Sequence, residues 1–542
     1  MKPLQYSIVW AAVLAVASAP AATPPSARLT VRSYADLTNA ITQIVSKVSP
    51  EEGEDPTEDL RDELGLSNCE ALDTKRPWEL AFWYGGSPSQ MVLAAKLPTK
   101  DIKAFKAALD EDGALRSQGH EWTQLEGGVG LILFLREADS LSDDEKAALA
   151  AWKAEALQPP AHGLAELTLN LSDTVRDQAV GALAMVKMFA SQAIAAQGSG
   201  ANGGFNPAAL SGLLDLYLDL VETMVKGLQE YKVALDVTAE ALTAEGSMSA
   251  KPGTDLAHWL QKPDDAVTAQ DLAFVDPDAC FSFAGYMGKD PALLKIMGRL
   301  VRLPFAMRNV ETNGATVKEL MGMLEQMLPT AFAGSVDLKD GLSVAGACRF
   351  PRADAAEVYA RMKQACTNAS AFQNLVGKDK MYSAVSVAEK HEVINGVSVD
   401  RFSATVNTNS PFFDKAAQKE AFQKFFPGGK WELDYAVKDG RLLMASAGKM
   451  KDLLALAGGK SSAKRSVKLE EGTCLVGYVN LPGAFQQLAK VLPDVPSDAQ
   501  ETLSKLDTQG TAIEFSVSLD QTKRFRERVP LKCLEQLGRF SE

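Results

Sequence analysis

The sequence is poor in the residues that most often carry chemistry. Only four histidines occur among 542 residues, and no two of them lie at metal-ligand spacing on one predicted helix or strand. None of the six cysteines forms a C-x-x-C pair, which argues against a zinc site and a thioredoxin-like motif. The motifs H-E-x-x-H and G-x-S-x-G are missing as well. The sequence therefore predicts no catalytic residue, no metal and no cofactor.

Two short patterns resemble nucleophile or phosphate motifs, but each lacks its companions. Ser446 and Lys449 form an S-x-x-K pattern without the S-D-N and K-T-G motifs that accompany it in acyl-transfer enzymes. Gly459-Lys460-Ser461 resembles the end of a phosphate loop, but Leu454 stands where its first glycine belongs. We therefore interpret the protein as a non-enzyme. The alternative is an enzyme whose site is built from dispersed residues between two lobes.

Positive charge is also scarce. The chain has 56 Lys and Arg against 69 Asp and Glu, a net charge of −13, which disfavours nucleic acid as a partner. The one basic cluster, Lys523, Arg524, Arg526 and Arg528, is predicted to be a solvated turn between a strand and a helix. The acidic segment 49–64 lacks the frame of a calcium loop, and we predict a solvated helix there.

Long hydrophobic runs are confined to the N-terminus. Lys2 precedes the apolar run Ile8–Ala17, and Ala19-Pro20-Ala21 fits the small-x-small cleavage pattern. We predict that residues 1–21 are a signal peptide, and the alternative of a retained anchor is disfavoured because the run is short. The mature chain is expected to be exported, to the periplasm or the medium, with no membrane-spanning segment.

The most informative pattern that is present is a repeated strand–turn–strand–helix unit. In Lys232–Leu260 apolar residues alternate through two strands, and Thr254 follows them as a helix cap. Similar hairpins are predicted to turn at Gly127-Gly128, Asp340-Gly341 and Asp439-Gly440. Two long helices are predicted at 173–196 and 207–230.

The order of predicted elements begins again after the polar stretch Gln261–Gln270. An alignment at an offset of 100 residues pairs Leu242 with Leu342 and Gly246 with Gly346. We therefore predict an α+β protein with two tandem similar lobes, each with antiparallel hairpins and helices packed on one face of the sheet, produced by internal duplication. The predicted divisions are a signal at 1–21, lobe 1 at 22–262, a linker at 263–272 and lobe 2 at 273–542.

The cysteines follow this division in part. Cys280 and Cys474 both fall in the opening strand of a predicted unit, and Cys366 and Cys533 both fall in a helix after a hairpin. Export makes disulfide bonds possible, and burial as small apolar side chains is the other interpretation. The sequence leaves both open.

The remaining candidate for a functional surface is apolar and rich in methionine. Methionines are concentrated in the predicted helical segments, and Met-rich faces adapt to varied ligands. The residues that we select as candidate ligand-binding residues are Met185, Met188, Met224, Met321 and Met327. Helical periodicity more often means that such a face is buried on the protein's own sheet.

These patterns favour three functions. The first is an exported, non-enzymatic binding or scaffold protein of the bacterial cell envelope, with a protein partner. The second is a periplasmic carrier that holds a lipid or another apolar small molecule. The third is the enzyme with a dispersed site between the lobes.

Overall fold

The computed structural model describes most of the chain in segments. The described residues are 25–48, 71–84, 91–111, 120–125, 127–135, 143–171, 173–198, 207–261, 265–286, 331–339, 341–350, 354–368, 380, 382–410, 416–458, 469–492, 495–519 and 523–541. The predicted signal at 1–21, the acidic segment 49–64 and the helices predicted at 291–303 and 315–328 lie outside them.

The chain divides into two compact units. Unit 1 comprises residues 1–193, 217–260 and 521–526, and unit 2 comprises residues 194–216, 261–520 and 527–542. Within the described residues, thirteen α-helices and eighteen strands occur, and every strand pair whose register is described is antiparallel. The predicted α+β class is therefore confirmed.

The elements of the first part of the chain follow one another in strand, helix and hairpin order. They are β1 (Ala27–Val31), α1 (Tyr34–Val48), β2 (Trp78–Tyr84), β3 (Met91–Pro98), α2 (Ile102–Glu111), β4 (His120–Leu125), β5 (Val129–Leu135), α3 (Asp143–Ala154), β6 (Ala165–Asn170), α4 (Asp173–Gly198), α5 (Pro207–Gly227), β7 (Leu228–Val237), β8 (Ala241–Ala250) and α6 (Asp255–Trp259).

The elements after residue 260 begin with a short helix. They are α7 (Ala269–Leu272), β9 (Phe281–Tyr286), β10 (Ala331–Asp337), β11 (Ser343–Arg349), α8 (Ala355–Asn368), β12 (Tyr382–Ile394), β13 (Val397–Val406), α9 (Ala416–Phe425), β14 (Lys430–Lys438), β15 (Arg441–Ser446), α10 (Met450–Ala457), β16 (Thr473–Val479), α11 (Leu481–Val491), α12 (Ser497–Ser504), β17 (Ile513–Leu519), β18 (Lys523–Pro530) and α13 (Leu531–Ser541).

The sheet of unit 1 places its first strand at the centre. The order is β4-β5-β3-β2-β1-β6-β7-β8. Residues 521–526 also belong to this unit, and there the Phe525 ring stacks on Tyr231 with 5.5 Å between centroids. Arg526 Nε lies 2.8 Å from Glu245 Oε1 on β8.

Helices cover both faces of the unit 1 sheet. Trp78 on β2 belongs to a core that includes Phe105 of α2 and packs against Leu37 of α1. Trp83, an odd number of residues further along the strand, belongs to a separate core with Trp152 of α3. Because successive strand residues point to opposite faces, these helices lie on opposite sides. The prediction of helices on one face therefore does not hold in unit 1, since β2 is apolar in both alternating positions.

The sheet of unit 2 also places its first strand inside the sheet. The order is β12-β13-β14-β15-β11-β10-β9-β16-β17. Small residues on its central strands, such as Ala333 and Ala347, form a core with Met450, Leu453 and Leu454 of α10. Alanine on the strands leaves room for the longer helical side chains.

The long hairpin β12–β13 escaped the sequence analysis, although its turn has a strong signal. Asn395 and Gly396 form the turn with φ of 50° and 80°, and Asn-Gly is favoured where both central residues have positive φ. The pairing is irregular between Ala388 and Glu392, next to Lys390 at φ 48°. The predicted turn at Asp439-Gly440 has the same chemistry, with φ of 49° and 71°, and was found.

Three local predictions differ from the structure. The basic cluster 523–528 is part of β18 and not a turn between a strand and a helix. Leu228, predicted as helical, begins β7 because Gly227 ends α5. The segment 263–272, predicted as a linker, includes α7, where Thr268 and Asp271 form a capping box and Asp271 is buried. Among the described helices, none is long and apolar enough to span a membrane.

Candidate functional site

Helices α4 and α5 carry the candidate site, and a buried arginine fixes the first turn of α4. Arg176 Nε donates to the Leu228 carbonyl at 3.0 Å, and its Nη2 donates to the Leu171 carbonyl at 2.5 Å. Asp173 accepts a hydrogen bond from Lys251 Nζ at 2.6 Å. These contacts tie the start of α4 to the ends of β6, β7 and β8. Pro207 opens α5, at a helix start that suits proline.

The middle of α4 exposes apolar side chains that the periodicity predicts to be buried. Met185 is 56% exposed, Met188 is 50% exposed and Phe189 is 62% exposed. Met224 on α5 is 37% exposed. The usual expectation, that such a face packs on the protein's own sheet, is therefore wrong for these residues. Met321 and Met327, the other two candidates, lie outside the described residues.

We define the α4 face as Gly181, Ala182, Met185, Met188 and Phe189. All five are exposed or lie in open surroundings, and their spacing of three and four residues places them on one side of a helix. Exposed single apolar residues are common, but a contiguous apolar patch marks an interaction site.

The α4 face lies in a stretch that carries only one charged residue. Between residues 178 and 192 that residue is Lys187, whose Nζ lies 3.0 Å from Asp219 Oδ1 on α5. The pair joins the two helices and compensates the charge. The surface can therefore bind an apolar, uncharged partner, and it offers nothing specific to an anion or a cation.

Each unit also contains a buried charge cluster. In unit 1, Glu79 accepts hydrogen bonds from Arg28 and from Trp152 Nε1. In unit 2, Asp271 accepts from Thr268 and Arg441. Both carboxylates are buried and are already held by neighbouring side chains, so we interpret both clusters as structural.

A third cluster joins α8 to the hairpin β12–β13. The Tyr359 hydroxyl donates to Asp400 Oδ2 at 2.8 Å, and the Lys390 amide donates to Asp400 Oδ1 at 2.7 Å. Burial and the neighbouring Asp400 raise the pKa of Tyr359 far above its usual value, which is the wrong direction for a base at neutral pH. Sequence reasoning missed this contact because the hairpin was missed.

The structure describes the side chains of four cysteines, Cys280, Cys348, Cys474 and Cys533. None of these four forms a disulfide bond. The Cys280 thiol donates to Gln487 Oε1 at 3.0 Å. Burial raises the pKa of Cys280, Cys348 and Cys533 to about 11 in each case. These thiols are therefore protonated at neutral pH and poorly nucleophilic.

We expect iodoacetamide at pH 8 to leave Cys280, Cys348 and Cys533 unmodified in the folded protein and to modify them in urea. Burial raises the pKa of each thiol to about 11 and blocks access to the sulfur. Peptide mass spectrometry would locate the label. A surface cysteine introduced at Val393, which is 65% exposed, is the labelled control. Labelling of the three native thiols at the rate of the control would contradict the burial.

Within the described residues, no group of three or more His, Cys, Asp or Glu side chains is arranged to hold a metal ion. Ser446, from the S-x-x-K pattern, accepts a hydrogen bond from the Val344 amide at 2.9 Å through its Oγ. Comparison with protein-family models, curated proteins and solved structures finds no match to this chain. The α4 face is the surface on which a functional hypothesis can be built.

Proposed function

We propose that this chain is an exported, non-enzymatic binding or scaffold protein of the cell envelope, and that the α4 face is its binding surface. The observation that carries the proposal is the exposure of Met185, Met188 and Phe189 on one helix side. An exposed apolar surface costs solubility unless a partner covers it. The predicted signal at residues 1–21 supports export.

The proposal includes the internal duplication of one α+β unit. If β1 corresponds to β9 and β2–β3 to β10–β11, then β4–β5 correspond to β14–β15 and β6–β7 to β16–β17. Seven strands of each sheet then have one order, while β8 of unit 1 and the hairpin β12–β13 of unit 2 have no counterpart. This correspondence replaces the 100-residue offset, since that offset matches β7–β8 at one end of a sheet with the more central β10–β11.

Site-specific photo-crosslinking in cells tests the binding surface. A benzophenone amino acid is placed at Met188, on the α4 face, and in a matched strain at Val393, which is similarly exposed on the hairpin β12–β13. We expect ultraviolet light to produce a discrete higher-mass adduct from the Met188 position and none from the Val393 position. The reason is that a bound partner lies within reach of the α4 face alone.

Two results would count against the proposal. The absence of any adduct at Met188, or the same adducts from both positions, would mean that the α4 face binds no macromolecule. Native mass spectrometry of protein purified from the envelope distinguishes a carrier from a protein that binds a macromolecule. A carrier would retain a small apolar molecule, and denaturation would release it.

A further inference from the structure

On the α4 face, each small side chain before Met185 has a large counterpart at the same distance after Met185. Gly181 lies four residues before Met185, and Phe189 lies four residues after it. Ala182 lies three residues before Met185, and Met188 lies three residues after it. Small residues therefore precede the centre and large residues follow it, at equal helical distances.

This arrangement is self-complementary for one geometry. Two copies of α4 that pack antiparallel about a two-fold axis at Met185 bring Phe189 of each copy onto Gly181 of the other. The same axis places Met188 of each copy on Ala182 of the other. In a two-fold contact the same surface serves both subunits, so each residue pairing occurs twice.

We propose that the partner of the α4 face is a second copy of this chain, bound through antiparallel α4 helices. The inference rests on the proposed function, since it names the partner of that same surface. Met185 is at the centre of the contact and meets its own copy there.

Charge does not oppose a second copy at the α4 face. The chain carries a net charge of −13, so two copies repel each other overall. The stretch 178–192, which holds the α4 face, carries one charged residue, Lys187, and Asp219 Oδ1 lies 3.0 Å from its Nζ. The same lack of positive charge gives the face no attraction for an anionic lipid surface.

Gly181 is an independent sign that something approaches α4 closely. A glycine inside an exposed helix destabilises it relative to alanine, and nothing in the described part of the chain packs against Gly181 to use the absence of a side chain. A Cβ placed at Gly181 would meet no atom within 4 Å. A helix partner explains the residue, because the separation of packed helices is set by the side chains at the contact.

Sedimentation velocity of residues 22–542 in a dilution series without detergent tests the proposal. We expect a reversible monomer–dimer equilibrium for the parent chain. Met185→Glu brings two carboxylates together at the axis and should raise the dimer dissociation constant by at least about tenfold. Val393→Glu, an equally polar change at an exposed valine far along the chain, should leave the constant unchanged.

A size exchange tests the register of the contact. Gly181→Phe should abolish the dimer, because the new ring meets Phe189 of the partner, whereas a Cβ at this position meets no atom of its own chain within 4 Å. The double variant Gly181→Phe with Phe189→Ala restores one large and one small residue in each pair, and the dimer should return. Circular dichroism would verify that each variant is folded.

Three outcomes would overturn the inference: a parent chain that stays monomeric throughout the series, a double variant that dimerises no better than Gly181→Phe, or a monomer that floats with neutral phosphatidylcholine vesicles through the same face. The photo-crosslinking experiment at Met188 distinguishes a failure of this inference from a failure of the proposed function. If the Met188 crosslinker captures a different molecule, the binding surface stands and the second copy is wrong. If it captures nothing, the proposed function itself fails.

Discussion

Replacing Asp271 with alanine should destabilise unit 2 by about 3–5 kcal/mol, the cost of leaving a buried charge without its partner. Asp271 Oδ1 accepts a hydrogen bond from Arg441 Nη1 at 2.5 Å, and both side chains are only 5% exposed. Asp271 Oδ2 accepts from the Thr268 amide and hydroxyl at 2.9 and 2.7 Å. The variant removes all of these acceptors and leaves the guanidinium of Arg441 buried.

Urea unfolding followed by peptide-resolved hydrogen exchange of unit 2 measures this loss, because the tryptophans of unit 1 would obscure the fluorescence of Trp431, the one tryptophan of unit 2. The control is the double variant Asp271→Ala with Arg441→Met, which removes the stranded charge and should recover much of the stability. A double variant as unstable as the single one would show that the loss comes from packing or helix capping instead of charge.

The Asp271 carboxylate also makes the stability of unit 2 depend on pH. Burial favours the neutral form, but the hydrogen bonds from Thr268 and Arg441 outweigh it and hold the pKa of Asp271 below its ordinary value. Its contribution is therefore complete above the ordinary aspartate pKa of about 3.9. It is lost as the pH falls through the folded-state pKa. The stability difference between the parent chain and Asp271→Asn should shrink over that interval.

Replacing Glu79 with alanine should destabilise unit 1 by a similar amount, about 3–5 kcal/mol. Glu79 on β2 is fully buried. Its carboxylate lies 2.6 Å from Arg28 Nε and accepts a hydrogen bond from the indole N–H of Trp152. Lys96, its cross-strand neighbour, is also buried and lies 4.2 Å over the Trp152 ring. Removing the carboxylate leaves the Arg28 guanidinium and the buried Trp152 indole N–H without that acceptor. It also removes a negative charge that favours the buried ammonium of Lys96.

The cost should fall mainly on α3. Lys96 Nζ donates to the carbonyls of Trp152 and Glu155, at 2.5 and 2.8 Å, and so satisfies the end of that helix. Hydrogen exchange resolved by peptide should show faster exchange of 143–154 in Glu79→Ala. Glu79→Gln keeps the size and an acceptor, and should lose less stability than alanine. Equal losses would assign the effect to shape alone.

Hairpins were the elements that sequence reasoning located best, because their turns are determined locally. Asp439-Gly440 identifies a turn without reference to the rest of the chain, since both residues must accept positive φ. Asn395-Gly396 carries the same information and was overlooked, together with the alternation of β13, where Phe402, Ala404 and Val406 are buried.

Features that depend on distant contacts were not accessible in the same way. The charge of 523–528 predicts a solvated turn, yet these residues lie in a strand whose Phe525 stacks on Tyr231, almost three hundred residues earlier in the sequence. The exposure of Met185 and Met188 is equally invisible, because periodicity reports which residues share a helix side and not what covers that side. The buried Asp271 was assigned to a linker since polarity alone suggests solvent.

The central place of the first strand in each sheet affects when the protein can fold during synthesis. β1 pairs with β6 as well as with β2, so Val31 must wait for both Trp78 and Ala165. Unit 1 also takes in residues 521–526 near the end of the chain. Unit 1 therefore cannot complete its fold before residues 521–526 are synthesised. Closing this long loop costs conformational entropy before the last contacts form. Until residues 521–526 are made, unit 1 lacks the stacking of Phe525 on Tyr231 and the ion pair of Arg526 with Glu245.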